Sequence, residues 1–377
     1  MILRFLDPRI LLCFFLQIAA GLYVQYSASN GEIGPLFLHQ LVVLIAVGLP
    51  FFLGALFLGT SFFYDKAFGI HILAISLLVL AATIGKTSMG ATRWIQIMGV
   101  TFQPTELLKL STVLMLSRYF SIARPSDLRR STFLFLPFLH LMPVLYLIIR
   151  QPSLGTVIFL LILIFAIYYS AAVRYSFFLR LVLLGLLISP FLWKYGVKDY
   201  QKERIMTFFH PSKDRRSSGY NIFQSEIAIG SGGFCGLGIV SGPQTQLKFL
   251  PERHTDFVLS VIAEELGFFA ILILTISYLV IFVKGLIIAS RSEAVFTRLL
   301  STGITTMIFL HFLINASMIT GIIPVVGMPL PLISYGGSAA LISMIALGVL
   351  LRIDVDQKIL LQSRLKALSP QLNRLQS

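Results

Sequence analysis

The sequence predicts an all-α polytopic membrane protein of about ten transmembrane helices, with a large extracytoplasmic loop between the seventh and the eighth. Three observations predict it. Hydrophobic residues make up 56% of the chain and charged residues 12%, with a mean hydropathy of +0.87, against roughly 45–50% and ~25% in soluble domains. Apolar runs of the ~20 residues needed to cross ~30 Å of hydrocarbon recur from end to end. Lys and Arg, finally, fall unequally on the two sides of those runs, as the positive-inside rule requires.

Taken in order, the runs lie near residues 9 to 26, 36 to 58, 67 to 85, 104 to 120, 132 to 149, 154 to 170, 177 to 195, 257 to 283, 299 to 320 and 332 to 351. Asp7 and Pro8 open the first as N-cap and first helical residue, the start signal of a helix. Only Arg4 and Arg9 flank it and no small-residue cleavage site follows, so it reads as a retained anchor and not a signal peptide. The fourth run carries Glu106 and Lys109 and the sixth is short.

An inside N-terminus places Arg4, Arg9, Lys66, Arg118, Arg124, Arg129 and Arg130 on the inner side and leaves only Lys86, Arg93 and Arg150 in the short outer loops. Both termini are therefore expected in the cytoplasm. The outer loop of residues 196–256 breaks the pattern with Lys198, Lys202, Arg204, Lys213, Arg215, Arg216, Lys248 and Arg253. Long loops translocate largely regardless of charge, so the topology stands. Those charges either solvate an exposed loop or attract an anionic partner at the outer face, such as lipid phosphate or diphosphate. The net charge of +14 is mostly topological, which excludes nucleic acid as a partner.

Residues 1–377 read as a single membrane domain, with the loop at 196–256 and a short, basic cytoplasmic tail at 352–377 lying at the membrane surface. No fixed-period repeat is visible. Cys13 sits inside the first span and Cys235 in the outer loop, too far apart to bridge. The six histidines lack zinc spacing, so no metal ligands are assigned and each reads as a lone packing or interface residue.

Four polar segments interrupt this apolar chain. Residues 250–256, Leu-Pro-Glu-Arg-His-Thr-Asp, end at Asp256 just before the eighth span. Polar residues at such a boundary read as a site, although Asp256 could also serve as the N-cap of its helix. Gly90-Ala-Thr-Arg-Trp94 is followed by Phe102-Gln-Pro-Thr-Glu-Leu-Leu-Lys109, which sets Glu106 and Lys109 on one helical face. A charge at mid-membrane costs roughly 2.5–3.5 kcal/mol on insertion scales. The two either neutralise each other as a structural ion pair or line a wet cavity open to the outside.

Gly321 to Gly337 holds Pro324, Pro329, Pro331, Ser334 and Tyr335. Irregular backbone at membrane depth belongs in protein or against water, so this segment is expected to border the same cavity. In the large loop, Asn221 to Ile229 has helical spacing and Gly230 as a stop, which predicts a surface-lying helix. The glycines of residues 230–238 follow no strand and lack the third glycine of a dinucleotide fingerprint. They suit tight turns or amides that cradle an anion. Glu264 falls roughly 12 Å deeper than Asp256 along the helix and about 80° around it, and Glu265 points nearly the opposite way. Such acids pair with a basic residue of another span or serve the site; neither is assigned to catalysis.

The runs Gly90 to Trp94, Gln103 to Lys109, Gly219 to Ser225, Leu250 to Phe257 with Glu264 to Gly267, and Pro331 to Gly337 together resemble the SEDS family (shape, elongation, division, sporulation) along nearly the whole chain. Residues 229–233, 244–247 and 327–331 resemble its RodA-like branch more than its FtsW-like branch. The resemblance implies a ten-helix fold, a bacterial cytoplasmic membrane location and a peptidoglycan glycosyltransferase that polymerises lipid II at the outer face. It also implies a class B penicillin-binding protein as partner, within a cell-elongation complex that sets cell shape. The family's essential acid falls on Asp256, its membrane-embedded pair on Glu106 and Lys109, and its exposed arginine on Arg93. Ser153 stands where the family has an acid, so that acid's role does not carry over; Thr105 replaces the usual Ser before Glu106.

The chemistry of such a reaction can be stated separately. A sugar hydroxyl attacks an anomeric carbon whose leaving group is a lipid diphosphate, through an oxocarbenium-like transition state. A diphosphate leaves without a protonating acid, so the protein needs one base and some positive charge. Asp256 is the expected base; Arg93, Lys109, Arg204 and Arg253 are the expected charges; Glu106 and His254 support them. No cofactor is required, and a divalent cation such as Mg2+ could share the phosphate charge. The helix dipole, Arg253 and His254 favour ionised Asp256 and weaken it as a base, which desolvation by substrate has to offset. Two other classes remain open: a lipid II flippase, which moves headgroups across sealed vesicles without making polymer, and a non-catalytic scaffold of the elongation complex, in which Asp256→Ala is silent.

Overall fold

The computed structural model describes residues 2–88, 91–97, 100–151, 153–191, 193–194, 202 and 218–375. Each of the ten apolar runs falls on a helix. These are α1 (Pro8–Ala28), α2 (Pro35–Phe57), α3 (Thr60–Ile84), α4 (Pro104–Ser121), α5 (Ser131–Arg150), α6 (Leu154–Ser170), α7 (Tyr175–Phe191), α10 (Val258–Arg291), α11 (Val295–Ile319) and α12 (Gly337–Leu375). Two further helices, α8 (Ser218–Gly232) and α9 (Pro243–Gln246), come from the large loop. Seven of the helices are long and apolar enough to cross a membrane, with α6 and α7 shorter apolar helices beside them. This is an integral membrane protein.

The sequence explains the starts and irregularities. Asp7 caps α1 by accepting the Arg9 amide at 2.9 Å, with Pro8 behind it. In α2 a π-helical stretch, Val43–Gly48, ends two residues before Pro50, where the missing N–H and the ring disturb the regular ladder. α10 lies against α11, α1 and α8; α4 lies against α3 and α11; α12 lies along α2. α7 buries Phe177 but exposes Leu179, Val182, Leu186, Leu187 and Phe191, a face suited to lipid as its solvent.

One element was not predicted. Between α3 and α4 the chain forms a three-stranded antiparallel sheet in the order β1-β2-β3, from Lys86–Ser88, Ala91–Ile97 and Val100–Phe102. The expected surface helix at 221–229 is present as α8 and runs to Gly232, two residues past the expected stop. It is more deeply held than a surface helix, because its buried Ser225 bonds Ser260 of α10 at 2.7 Å and the Ile319 carbonyl at 2.8 Å. The tail expected from residue 352 continues α12 as helix to Leu375 and does not begin as a separate stub: Ile353 and Val355 are buried, and Lys358 donates to the Phe5 carbonyl at 2.9 Å.

The glycine run is where the loop and the bundle interlock. α10 is two helices joined at Gly267, whose φ of 74° and ψ of −170° no other residue adopts readily. At the break, the Glu264 and Glu265 carbonyls accept the Leu237 and Gly238 amides at 2.9 and 3.0 Å. The Phe268 and Phe269 amides donate in turn to the Gly233 and Phe234 carbonyls at 2.9 and 3.3 Å. Residues 233–238 thus form a wedge that satisfies the backbone groups freed by the break, the condition for irregular backbone at membrane depth. A Cβ on Gly267 would lie 2.3 Å from the Gly236 nitrogen, which shuts the position to any side chain. Of the two roles open to these glycines, tight turns and amides that cradle an anion, the structure favours the first: Gly233, Gly236 and Gly238 have positive φ, and the Gly236 and Gly238 amides are bonded inside the protein.

Candidate functional site

Asp256 ends a run of turns that leads into α10. The N-cap position of α10 falls on Phe257 and not on Asp256, and Asp256 itself is half-buried. Its backbone is held from several sides. The Asp256 amide donates to the Glu252 carbonyl at 3.0 Å, while the buried Asn315 of α11 donates from Nδ2 to the Asp256 carbonyl at 2.9 Å and to the Met328 carbonyl at 3.0 Å. Ser334 Oγ donates to the Thr255 carbonyl at 2.5 Å, and the Tyr335 amide to the His254 carbonyl at 2.8 Å. The 321–337 segment therefore does border Asp256. Gly327, with a φ of +69°, faces the carboxylate so closely that a Cβ there would lie 3.2 Å from Asp256 Oδ2.

The basic neighbours of Asp256 behave differently from expectation. Arg253 is only 8% exposed, and its guanidinium donates to the Thr245 carbonyl and, at 2.7 Å, to the Ala28 carbonyl at the end of α1. It ties the segment before Asp256 to two helix ends, whose orphan carbonyls need donors, so in this structure the guanidinium expected to meet phosphate acts as a brace. Burial pulls the guanidinium below its ordinary value, with Glu265 opposing. His254 sits beside Tyr335, ring centroids 5.8 Å apart. Burial holds its imidazole below the ordinary value; Glu252 pulls it up and Arg253 pushes it down. His254 is therefore neutral near pH 7 and adds no charge to Asp256.

Behind this shell, Glu264 and Glu265 form no close ion pair with a basic residue of another span among the described residues, although Glu265 acts on Arg253 electrostatically. Glu264 accepts the Gln244 and Thr245 amides at 2.7 and 3.0 Å and the Thr245 hydroxyl at 2.6 Å, which caps the start of α9. Glu265 accepts from Tyr23 at 2.6 Å, Ser27 at 2.7 Å and Gln246 at 3.0 Å. Both carboxylates are fully buried.

Glu106 and Lys109 do form an ion pair, 2.8 Å apart and 6% and 2% exposed. The pair is not closed on itself. Lys109 Nζ also lies 2.7 Å from His311 Nε2 and 4.8 Å from the centroid of the Phe159 ring. With a carboxylate, an imidazole and an aromatic face around it, Lys109 is enclosed within the bundle, and His311, read from the sequence as a lone packing residue, is its partner on α11.

Arg93 lies on β2, where its Nε donates to the Gln151 carbonyl at 2.5 Å and joins the sheet to the end of α5. The sheet reaches the Asp256 shell indirectly. Ser338, at the start of α12, accepts the Gln103 amide at 2.8 Å and donates to the Thr101 carbonyl at 3.3 Å, just beyond the segment that carries Tyr335. Arg204 lies outside the described residues, as do Gly90 and Pro152 of the predicted motifs. Ser153, standing in the acid's place, bonds Thr156 at 2.7 Å. Among the described residues no three of His, Cys, Asp or Glu gather where a metal could sit, so they offer no cage for a divalent ion. A cavity of about 560 Å³ opens between α2, α3, α4 and α12, lined by Phe51, Leu58, Phe63, Leu110 and Val349. Its lining side chains are all apolar, so it offers a saccharide no hydrogen-bonding partners.

Sequence reasoning missed Asn315, His311 and Gln25, which donates to the His254 carbonyl at 3.4 Å. The signal for the first two was present: two polar residues four apart, on one helical face of an apolar span.

A family model described as "Cell cycle protein", FtsW/RodA/SpoVE, matches residues 7–359. Among curated proteins, the chain is 37% identical to peptidoglycan glycosyltransferase MrdB of Escherichia coli K12, over 95% of this chain and 96% of that one. It is 34% identical to probable peptidoglycan glycosyltransferase FtsW of Trichlorobacter lovleyi, over 90% of each. Among solved structures, a chain from a peptidoglycan synthase complex that coordinates polymerization and crosslinking superposes with a TM-score of 0.79 at 27% identity, covering 93% of this chain and 98% of that one. The rod shape determining protein RodA of Thermus thermophilus superposes with a TM-score of 0.67 at 26% identity, covering 93% and 97%.

Proposed function

The chain belongs to the FtsW, RodA and SpoVE family of cell cycle proteins, and we propose that it is a peptidoglycan glycosyltransferase that polymerises lipid II during cell elongation, with Asp256 as general base. The activity is supported by relatives named for it over nearly the full chain. The observation that carries the residue assignment is the shell itself: a half-buried carboxylate whose backbone is fixed by Asn315, by the Ser334 bond to Thr255 and by Tyr335, beneath a glycine that leaves room above it. Such a group is oriented before substrate arrives, which is what a base needs.

In this reading the acceptor hydroxyl gives its proton to the Asp256 carboxylate as its oxygen bonds the anomeric carbon of the donor. The bond from that carbon to the diphosphate breaks, and the lipid diphosphate leaves with the electron pair. Arg93 and Arg204 are the proposed charges for the phosphates, while Arg253, Lys109 and Glu106 hold the frame. A divalent cation would add positive charge at the same phosphates when bound. Both termini lie in the cytoplasm and Asp256 faces outward, a placement supported by the Lys and Arg asymmetry. A crosslinking class B penicillin-binding protein is the proposed partner, supported by the likeness to a chain of a synthase complex that couples polymerization to crosslinking.

The broken α10 is the feature a flippase would share. Here the wedge of residues 233–238 fills the break with four backbone hydrogen bonds, which favours a brace over a moving gate. The deciding experiment gives lipid II to purified protein, with and without its transpeptidase partner. Asp256→Asn is expected to lose about 10²–10⁴ in polymerisation rate, whereas equal polymer from both proteins removes the assignment. Headgroup transfer across sealed vesicles without polymer would favour transport instead.

A further inference from the structure

α11 carries two polar side chains on one face, and each reaches a different part of the protein. His311 Nδ1 lies 2.7 Å from the Met307 carbonyl, so that nitrogen carries the proton and donates. Nε2 is then a lone pair, which accepts from the Lys109 ammonium at 2.7 Å. One turn along, about 6 Å up the axis, Asn315 spends both amide hydrogens on the Asp256 and Met328 carbonyls. His311 is buried at 3% exposure and Asn315 is fully buried.

We infer that α11 is the element through which the buried Glu106–Lys109 pair sets the position of Asp256, with His311 and Asn315 as its two positioning residues. The pair costs too much to bury for no purpose, yet Lys109 is enclosed by Glu106, His311 and the Phe159 ring and has no face left for a phosphate. What it can do is fix where α11 stands against α4, the helix it packs on. Asn315 carries that placement to the Asp256 backbone and, through Met328, to the segment beside Gly327 that overlies the carboxylate. An error near 1 Å in such a constellation costs about 10²-fold in rate.

The inference rests on Asp256 being the base, and the experiment separates the two. Steady-state lipid II polymerisation is measured on the purified full chain with its transpeptidase partner for His311→Leu, His311→Gln, Asn315→Leu and the double variant His311→Leu/Asn315→Leu, with Asp256→Asn alongside. His311→Leu and Asn315→Leu are each expected to lower kcat about ten- to a hundred-fold with KM for lipid II unchanged. His311→Gln, whose side-chain oxygen can still accept from Lys109, is expected to recover most of the rate. The double variant is expected to lose no more than the worse single one, because both act on the same group. Full activity in folded His311→Leu, a rise in KM at constant kcat, no recovery in His311→Gln or fully additive losses would each overturn the inference. If Asn315→Leu does not fold, as shown by loss of its melting transition, the His311→Leu and His311→Gln pair decides alone. A fully active Asp256→Asn removes the base and this inference together; an inactive Asp256→Asn beside a fully active His311→Leu removes this inference only.

Discussion

The shell around Asp256 and the cluster around Lys109 are both polar and both anchored on α11, yet they are built in opposite ways. Around Asp256 the surrounding side chains bind backbone: Asn315 takes the Asp256 carbonyl, Ser334 the Thr255 carbonyl, and Arg253 the Thr245 and Ala28 carbonyls. Around Lys109 the side chains bind one another, ammonium to carboxylate to imidazole, with almost no exposure. The first arrangement fixes the backbone that carries the proposed base. The second uses up its charges to hold two helices together. On the proposed reading, charge deep in the bundle serves position and chemistry belongs at the half-buried rim.

Breaking the deep cluster is the harshest test of that contrast. Lys109→Met leaves the Glu106 carboxylate buried without its partner, a kind of change that costs about 3–5 kcal/mol. The protein is expected to lose melting temperature along with polymerisation. Replacing both partners by shapes of similar size, Glu106→Gln with Lys109→Met, is expected to restore most of the thermal stability, since an uncharged pair has no unpaired ion to solvate. Asp256→Asn should do the reverse, with rate lost and melting temperature kept. Thermal unfolding of the four detergent-solubilised proteins separates the two patterns, and a Lys109→Met protein as stable as the parent would break the comparison.

A smaller effect is expected at the rim. Gly327→Ala puts a methyl at a φ of +69° and 3.2 Å from Asp256 Oδ2. The left-handed backbone costs a non-glycine residue about 1–2 kcal/mol, and the methyl crowds the carboxylate. Polymerisation should fall more than stability does. A variant with unchanged kcat would mean that the carboxylate has room to move and needs no fixed place.

These contrasts also show what the chain made legible. Ten helices could be read off because lipid demands apolar runs of a set length, and no tertiary contact has to be known to see them. The Asp256 segment could be read because a polar run at an apolar boundary is costly without a use. The sheet of residues 86–102 could not, since two of its strands have only three residues, too few to show alternation. The wedge at Gly267 depends on hydrogen bonds between segments some 30 residues apart, and no local pattern encodes them. Arg253 misled for a physical reason: a guanidinium in a basic loop looks solvated until the carbonyl end of α1, at Ala28, is known to lie against it. His311 and Asn315 were visible as polar residues four apart, but only the packing of α11 on α4 joins the first to Lys109.

The smallest expected effect lies on His254 and is a matter of pH. Burial holds the folded-state imidazole below the ordinary 6.5, with Glu252 raising it and Arg253 lowering it. Well above pH 6.5 the ring is neutral in both the folded and the unfolded chain, so it contributes nothing to the pH dependence there. As pH falls from 6.5 toward the depressed folded value, the unfolded chain binds the proton first, and stability declines across that window before levelling off. Only near that depressed value does the folded ring take a proton, which places a new positive charge two residues from Asp256 and disfavours its role as a base. Wild type should therefore lose melting temperature from about pH 6.5 downward and polymerisation rate only at lower pH, where the folded ring itself takes the proton. His254→Gln, which cannot titrate, should show a shallower decline in both, so the difference between the two proteins isolates His254 from the other histidines. Parallel pH curves for the two proteins would place His254 outside the shell's electrostatics and leave the Asp256 neighbourhood to backbone bonds alone.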